Sequence, residues 1–459
     1  MSLKKRWHTK GGYKQALVIG LPLVVSMVSS TVMTFTDRIF LGNYSTESLG
    51  ASVPASSVAF MFLAFFLGVV QYTGVFVAQY TGSGRHSEVG RSLWQGLWLC
   101  VPSWMILASL WFIAKPLFEL SGHPAGIMEQ EIAYFRILTV GGGAFVVSGC
   151  LSSFYSGRGM TKPIMIVSLM AMIINVPLDY CLINGIGPFP ELGIEGAGIA
   201  TVFGYVLPVV CYGLMIFTAE NERMYRVRSS WRLDLDLLTR FLRFGLPGGV
   251  EFFIDLFAVS FFVLMVGRFG PVELASTNAV FSIYSLAFLP TIGLHVAASI
   301  MVGHAMGDKK PEMAAYATKS VLHLAMAYMG MMALLFVVFP EALMNLFRAH
   351  GETEIEFDAV LKMGIVLMRY AAVFTLIDAI AIVYVGGLKG AGDTKYIMKT
   401  MILASMLCMV FPLIALNMLG IKGIHGPWMC LLLYVLVLAT TFSTRFRKGP
   451  WRKIQVISD

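Results

Sequence analysis

Only 13% of this 459-residue chain is charged, and that shortage excludes a water-soluble globule, which at this size needs more polar surface to cover itself. No polar segment is long enough for a soluble domain, so no appended domain is expected. CxxC pairs are missing too: Cys100, Cys150, Cys181, Cys211, Cys408 and Cys430 all fall in or near apolar stretches, where structural packing is their expected role. There is no HExxH, no GxSxG and no paired His-Asp motif at helical spacing, so the chain is not read as an enzyme and no cofactor is implied. What fills the sequence instead is hydrophobic residue, 57% of the total, with a mean hydropathy of +0.75. Apolar runs of about 20 residues, the length of a helical membrane span, recur from about residue 15 to residue 443. This pattern predicts an all-α membrane protein.

The start, Met1-Ser-Leu-Lys-Lys-Arg-Trp7, is basic like a signal peptide, but the apolar run behind it is too long and lacks a small-residue cleavage site. It is read as a retained first helix. The formal charge of +8 raises the question of nucleic acid, which the distribution of positive residues answers. Assigning loops alternately to two sides places roughly 26 of the 34 Lys and Arg on the side of both termini, as the positive-inside rule requires. They include Lys4, Lys5, Arg6 and Lys10, then Arg223, Arg226, Arg228 and Arg232, and finally Arg445, Arg447, Lys448, Arg452 and Lys453. The excess reports topology, and no basic stripe interleaves with exposed aromatics as nucleic-acid binding would demand. A multi-pass protein of the inner (plasma) membrane is expected, surrounded by lipid, with both termini cytoplasmic.

Twelve spans are expected near 14–41, 51–80, 91–114, 132–155, 163–183, 194–219, 240–267, 277–306, 317–340, 360–387, 396–419 and 424–444. The halves repeat. Gly20-Leu-Pro22 opens the first span and Gly245-Leu-Pro247 the seventh; Val77-Ala-Gln-Tyr-Thr-Gly82 aligns with Val302-Gly-His-Ala-Met-Gly307, and Gly157-Arg-Gly-Met-Thr-Lys162 with Gly390-Ala-Gly-Asp-Thr-Lys395. The sixth and twelfth spans share an entrance, Leu192-Gly-Ile-Glu-Gly and Leu419-Gly-Ile-Lys-Gly. Six spans per half make this a parallel repeat, two six-helix lobes related by a pseudo-twofold axis along the membrane normal, with substrate expected between them. The divisions are 1–219, a cytoplasmic connection at 220–239 that serves as a hinge, and 240–459.

A charge near the bilayer centre costs at least about 2.5–3.5 kcal/mol, which makes each intramembrane acid a functional candidate. Five fall inside the expected spans. Asp37, fifteen residues past Pro22, and Asp179, about seventeen past Lys162, reach similar depth in the outer half. Asn175 stands one turn before Asp179 on the same face, and Thr201 near the start of span six adds a hydroxyl. Together Asp37, Asn175, Asp179 and Thr201 offer hard oxygen ligands suited to Na+ or to a proton shared by two carboxylates. The alternative is that Asp37 faces the outer interface beside Arg38 and Asp179 solvates a helix end. In the second half, Glu251 and Asp255 share one face of span seven and Asp378 lies at comparable depth in span ten; they form an acidic cluster for substrate or cation, unless Glu251 or Asp255 pairs with Arg243 or Arg369. Tyr370, Phe374 and Tyr384 are candidate aromatic walls for a cation, with core packing as the competing role. His295 and His304 are weaker candidates for proton handling.

These residues resemble the multidrug and toxic-compound extrusion (MATE) transporters over essentially the whole chain. The likeness rests on Asp37-Arg-Ile-Phe-Leu-Gly42, Ala78-Gln79 with Gly82, Asn175-Val-Pro-Leu-Asp179, Leu192-Gly-Ile-Glu-Gly-Ala-Gly-Ile-Ala-Thr201, an acid eight residues after Pro247, and Asp378 ahead of Gly386-Gly-Leu-Lys-Gly-Ala-Gly-Asp-Thr394. The resemblance implies export of amphipathic organic cations or other toxic compounds, driven by inward Na+ or H+ flow through a V-shaped pair of lobes, by a protein acting as a monomer. It gives Asp37 the role of the N-lobe cation-site acid, with Asn175, Asp179 and Thr201 beside it, and places the C-lobe acids of one branch on Asp255 and Asp378. That branch usually carries Glu at the position of Asp255, lacks an acid at Glu251, and often has tyrosine where this chain has Phe374. The rival within the same superfamily is a flippase of a lipid-linked substrate, for which a basic cavity is expected rather than these acids. A channel is a third class, disfavoured by so few and so asymmetric acids.

Overall fold

The computed structural model describes residues 3–120, 122–348, 354–421 and 423–457, with side chains described for all of these except residue 3 and residues 354–356. Twelve helices among them are long and apolar enough to cross a membrane: α1 Tyr13–Tyr44, α2 Thr46–Gly82, α3 Ser87–Glu119, α4 Ala125–Gly157, α5 Lys162–Asn184, α6 Ile194–Ile216, α7 Leu235–Val266, α8 Pro271–Gly307, α9 Pro311–Val338, α10 Phe357–Ala391, α11 Thr394–Met418 and α12 His425–Lys448. No strand occurs among the described residues. Helices are the consequence of apolar runs in lipid, where each backbone N–H and C=O must be satisfied within its own segment. Large apolar side chains face outward, among them Phe112 at 80% exposure and Leu214 at 76%, a surface suited to acyl chains and not to water. Lys422, in the entrance shared by the sixth and twelfth spans, lies outside the described residues.

Ten of the twelve helices begin ahead of the expected spans, and the extensions matter, while α6 and α9 stop short of the expected 219 and 340, at Ile216 and Val338. α2 begins at Thr46 because Ser45 caps it, its hydroxyl accepting from the N–H groups of Glu47 and Ser48. It is interrupted at Gln71 and Tyr72, between Val70 and Thr73. α4 begins at Ala125, seven residues before the predicted 132, so Glu131 is helical and fully buried, an acid inside a membrane-length helix that the expected spans left out. The polar run Glu129-Gln-Glu131 is what made that turn read as loop. α11 widens into a π turn over Ser405–Val410, a local change of pitch that a continuous apolar run does not announce. Short helices at Leu3–His8, Ala219–Tyr225 and Pro340–Asn345 lie outside the spans.

The chain folds as two compact units. The N unit gathers the described residues of Leu21–Phe253, Gly307–Lys309 and Val456–Asp459; the C unit gathers those of Met1–Gly20, Ile254–Met306 and Lys310–Gln455. Hydrophobic burial gives little drive between helices in lipid, so packing depends on close approach of small residues. In the N unit a Cβ on Gly68 of α2 would stand 2.8 Å from the Gly248 carbonyl of α7, and Phe76 stacks on Phe241 with centroids 4.0 Å apart. In the C unit Gly390 of α10 meets the Ser299 backbone of α8 in the same way. There Trp428 stacks on Phe281 at 5.6 Å, Arg445 pairs with the buried Asp393, and Arg6 of the first short helix bonds Ser320 and the Tyr316 carbonyl on α9.

The connection between α6 and α7, read from sequence as a hinge, is held along α3. Trp94 and Trp98 donate their indole N–H groups to the carbonyls of Val227 and Trp231. Gln95 donates to the Arg232 carbonyl at 3.1 Å and accepts from the Asp234 N–H at 3.1 Å. Arg91 pairs with Asp234 and Glu88. Burial alone would raise the Asp234 carboxyl, but bonds from the Leu237 and Asp236 N–H groups and the Arg91 guanidinium outweigh it and hold the group below the usual carboxylate range. Glu222 is likewise lowered, chiefly by the backbone N–H of Arg228 and then by the Ser229 hydroxyl.

Candidate cation site

The site in the N unit is assembled by a tight α5–α6 hairpin. Gly185, in the left-handed region at φ 68°, ends α5, and the Leu192 and Gly193 N–H groups return to the carbonyls of Leu182 and Ile183 at 3.0 and 3.2 Å. A Cβ on Gly196 would stand 2.5 Å from the Leu182 carbonyl, so only glycine lets α6 begin against the end of α5. Asn175 and Asp179 are thereby set beside the first turns of α6, and the Asn175 Nδ2 donates to the Ala200 carbonyl at 2.8 Å. That bond leaves its side-chain oxygen as an acceptor. Gly204, one turn beyond, gives room for Asn175 and for Met33 of α1.

Depths agree across four helices. Asp37 lies seven residues before the end of α1, Asp179 five before the end of α5, Thr201 seven after the start of α6, and Tyr134 nine after the start of α4. At 1.5 Å per residue all lie roughly 8–14 Å from the helix ends opposite the termini. Asp37 is 9% exposed and Asp179 1%. The Tyr134 hydroxyl donates to Asp37 Oδ2 at 3.3 Å, and Thr201 stands close to that hydroxyl. Asp179 and Tyr205 are both close enough to Asp37 to feel its charge. Asp37 Oδ1 and both oxygens of Asp179 are buried with no hydrogen-bond partner among the described residues. The structure therefore brings together Asp37, Asn175, Asp179 and Thr201, with Asp37 turned inward while Arg38 is exposed. It adds Tyr134 and Tyr205, aromatic residues in apolar runs that no local pattern singled out. Carboxylate, amide and hydroxyl oxygens make a donor set that fits a proton or a hard monovalent cation.

Asp378 of α10 accepts from the Tyr284 hydroxyl of α8 at 2.6 Å. Phe374, one turn earlier, meets Tyr284 edge-on at 5.0 Å, and Phe288 stacks on the same ring at 5.4 Å. Asp255 is near enough for its charge to reach Tyr284, and is itself exposed. Glu251 is buried and belongs to the N unit, while Asp255 and Asp378 belong to the C unit. Of the three aromatic candidates, Phe374 stands at Asp378. Tyr370 bonds His425 at 2.9 Å, and Tyr384, 4% exposed, packs on Phe446 at 5.3 Å. His295 directs Nδ1 to the Ile382 carbonyl at 2.9 Å; a carbonyl can only accept, so that nitrogen carries the hydrogen. Tyr284 is the residue that sequence reasoning missed here.

Comparison with known proteins gives a consistent result. The MatE family model matches residues 22–181 and 247–414. The chain is 28% identical over 390 residues to the "Probable multidrug resistance protein NorM" of Brucella suis, covering 83% of this chain and 81% of that one. It is 25% identical over 387 residues to the "Multidrug resistance protein NorM" of Photobacterium profundum, covering 84% and 83%. Among solved structures it resembles a multidrug resistance MATE family transporter of the MOP superfamily in an outward-facing conformation, with a TM-score of 0.85 over 99% of each chain. At 18% identity that likeness shows the fold.

Proposed function

The chain belongs to the MatE family, and from that premise we propose that this multi-pass membrane transporter is a cation-coupled antiporter that exports amphipathic organic cations or other toxic compounds across the inner membrane by alternating access. Its termini lie in the cytoplasm, residues 1–219 and 240–459 are its working halves, and sodium or protons drive it. The multidrug resistance naming of its NorM relatives supports the export reading. The observation that carries the coupling is the pair Asp37 and Asp179, with three carboxylate oxygens buried and lacking hydrogen-bond partners among the described residues. Two like charges in a medium of low dielectric repel strongly, so the pair calls for a proton or a small cation.

Uptake of that cation removes the repulsion and lets the end of α1 repack. The helix is prepared for such a change. Just ahead of Asp37, the hydroxyls of Ser29, Ser30, Thr31, Thr34 and Thr36 each bond a carbonyl three or four residues back, a pattern that bends helices. A cation that favours one curvature and a drug that favours the other compete through their differential affinity for two states, which is what lets an ion gradient drive export. Asp378 contributes to substrate binding.

The test is ethidium efflux from proteoliposomes with sodium and pH varied independently. Asp37→Asn is expected to lower gradient-driven efflux by at least about a hundredfold, or ~2.7 kcal/mol. Efflux by Asp37→Asn at the wild-type rate would remove the coupling role.

A further inference from the structure

We propose that His123 and Glu131 form a proton relay that feeds Tyr134 and Asp37 from the face opposite the termini, an inference that rests on the antiport reading above. Glu131 is completely buried, yet its partner is a surface residue: His123, in the turn between α3 and α4, places Nδ1 2.8 Å from Glu131 Oε1 with its side chain 41% exposed. The second oxygen, Oε2, is buried without a hydrogen-bond partner among the described residues. A fully buried carboxylate that spends one oxygen on an exposed imidazole and leaves the other unsatisfied is costly as pure structure. As a carrier between water and the interior it is well placed.

The inward direction is set by the helix. Tyr134 follows Glu131 by three residues on α4, so the two lie on one face about 4.5 Å apart along the axis. Tyr134 is 2% exposed and donates to Asp37. One swing of the Glu131 side chain, or one bridging water, spans that turn. Phe118 of α3 packs edge-on against Phe135 at 5.4 Å, both buried, and keeps the surface beside the carboxylate apolar. The other acids at this end are Glu47 of α2, with Oε2 3.9 Å from where a Cβ on Gly126 would stand, Glu119 at the end of α3, 3.9 Å from Lys115, Glu129 of α4, and Glu191 and Glu195 of the α5–α6 hairpin, the first of them bonded by the Tyr44 hydroxyl.

The transfer balances. His123 takes a proton from outside water and gives one to Glu131 Oε1. The Glu131 carboxyl, turned inward, gives its proton to the Tyr134 oxygen as the Tyr134 hydroxyl hydrogen passes to Asp37 Oδ2. Asp37 ends neutral, Tyr134 is unchanged and Glu131 is again a carboxylate, while His123, left with its hydrogen on Nε2, releases it to outside water and takes one back on Nδ1 when the ring turns to that water.

The experiment uses the full chain in proteoliposomes, with an acid pulse on the face opposite the termini and two readouts: proton uptake by an internal indicator and equilibrium ethidium binding. Glu131→Gln is expected to slow proton uptake at least about tenfold while the ethidium Kd stays within twofold. His123→Ala is expected to slow it in the same direction, with free imidazole restoring at least half of the loss, a rescue that a structural role of the turn would not show. Should Glu131→Gln fail to fold, His123→Ala on the exposed side carries the test. Wild-type uptake by Glu131→Gln, or no imidazole rescue of His123→Ala, overturns the relay. Asp37→Asn in the same vesicles separates the two readings: if it is inactive while Glu131→Gln takes up protons normally, the relay alone falls, and if it is fully active, the antiport reading falls. Efflux that depends on Asp37 and sodium but not on protons also overturns the relay and leaves the antiport reading standing.

Discussion

The two acid sites differ in how the protein satisfies them: Asp37 and Asp179 are buried, and Asp378 is half-buried. In the N unit, three oxygens of Asp37 and Asp179 are buried without hydrogen-bond partners among the described residues. In the C unit, Asp378 receives a 2.6 Å hydrogen bond from Tyr284, whose ring packs against Phe288 and Phe374. A site left unsatisfied is stable only with something bound, so its occupancy governs the state of the helices around it. A site satisfied internally tunes what sits beside it without being obliged to bind. The largest expected effect follows: Asp179→Asn should cut gradient-driven ethidium efflux at least about thirtyfold, whereas Asp378→Asn should keep the drive and change substrate affinity or range. Equal loss of coupling in both variants would erase the distinction.

The comparison sharpens if one site is made to resemble the other. Removing the Tyr284 hydroxyl strips Asp378 Oδ2 of its donor, and a hydrogen bond to a charged group contributes about 1.5–3 kcal/mol. Tyr284→Phe is therefore expected to give ethidium binding a dependence on sodium or pH that the wild-type C-unit site lacks, with Kd moving about tenfold between conditions. Binding measured in an Asp37→Asn background isolates this site. A Kd as insensitive to ions as the parent's would show that the tyrosine bond is not what separates the two acids.

What could be read from sequence divides along physical lines. The helices were legible because lipid imposes a length of about 20 apolar residues on each span, and the MatE match across both halves agrees with that reading. Asp37, Asp179 and Asp378 were visible because an acid in such a run is expensive. Tyr134, Tyr205 and Tyr284 were not, since a tyrosine in an apolar helix looks like packing until the fold shows which acid its hydroxyl meets. Tyr384 gives the converse: its position on α10 suggested a wall, and it packs against Phe446. Glu131 was lost to a boundary, because polar residues in the first two turns of a helix are indistinguishable from loop when only hydropathy is read. The α6–α7 connection was read as a hinge from its polarity, yet its backbone groups are bonded to Trp94, Gln95 and Trp98 on α3.

That strap supplies the smallest effect and the baseline for the others, since it lies in the N unit but away from Asp37. Gln95 is fully buried and holds two backbone groups of the connection, so Gln95→Ala should cost about 1–3 kcal/mol of stability, seen as a lower melting temperature in detergent, with no change in the ion dependence of efflux. A pH dependence accompanies it. Asp234 and Glu222 are both held below their ordinary values, and a carboxyl lowered in the folded state adds stability that is complete above its unfolded pKa, about 3.9–4.3, and is lost as pH falls through its folded value. The melting temperature should therefore be level between pH 7 and 5 and decline below about pH 4, and Asp234→Asn should flatten part of that decline. If Gln95→Ala altered the sodium or proton dependence of efflux, the N-unit site would not be a local device, and its contrast with Asp378 would belong to the whole unit instead of to the partners of two acids.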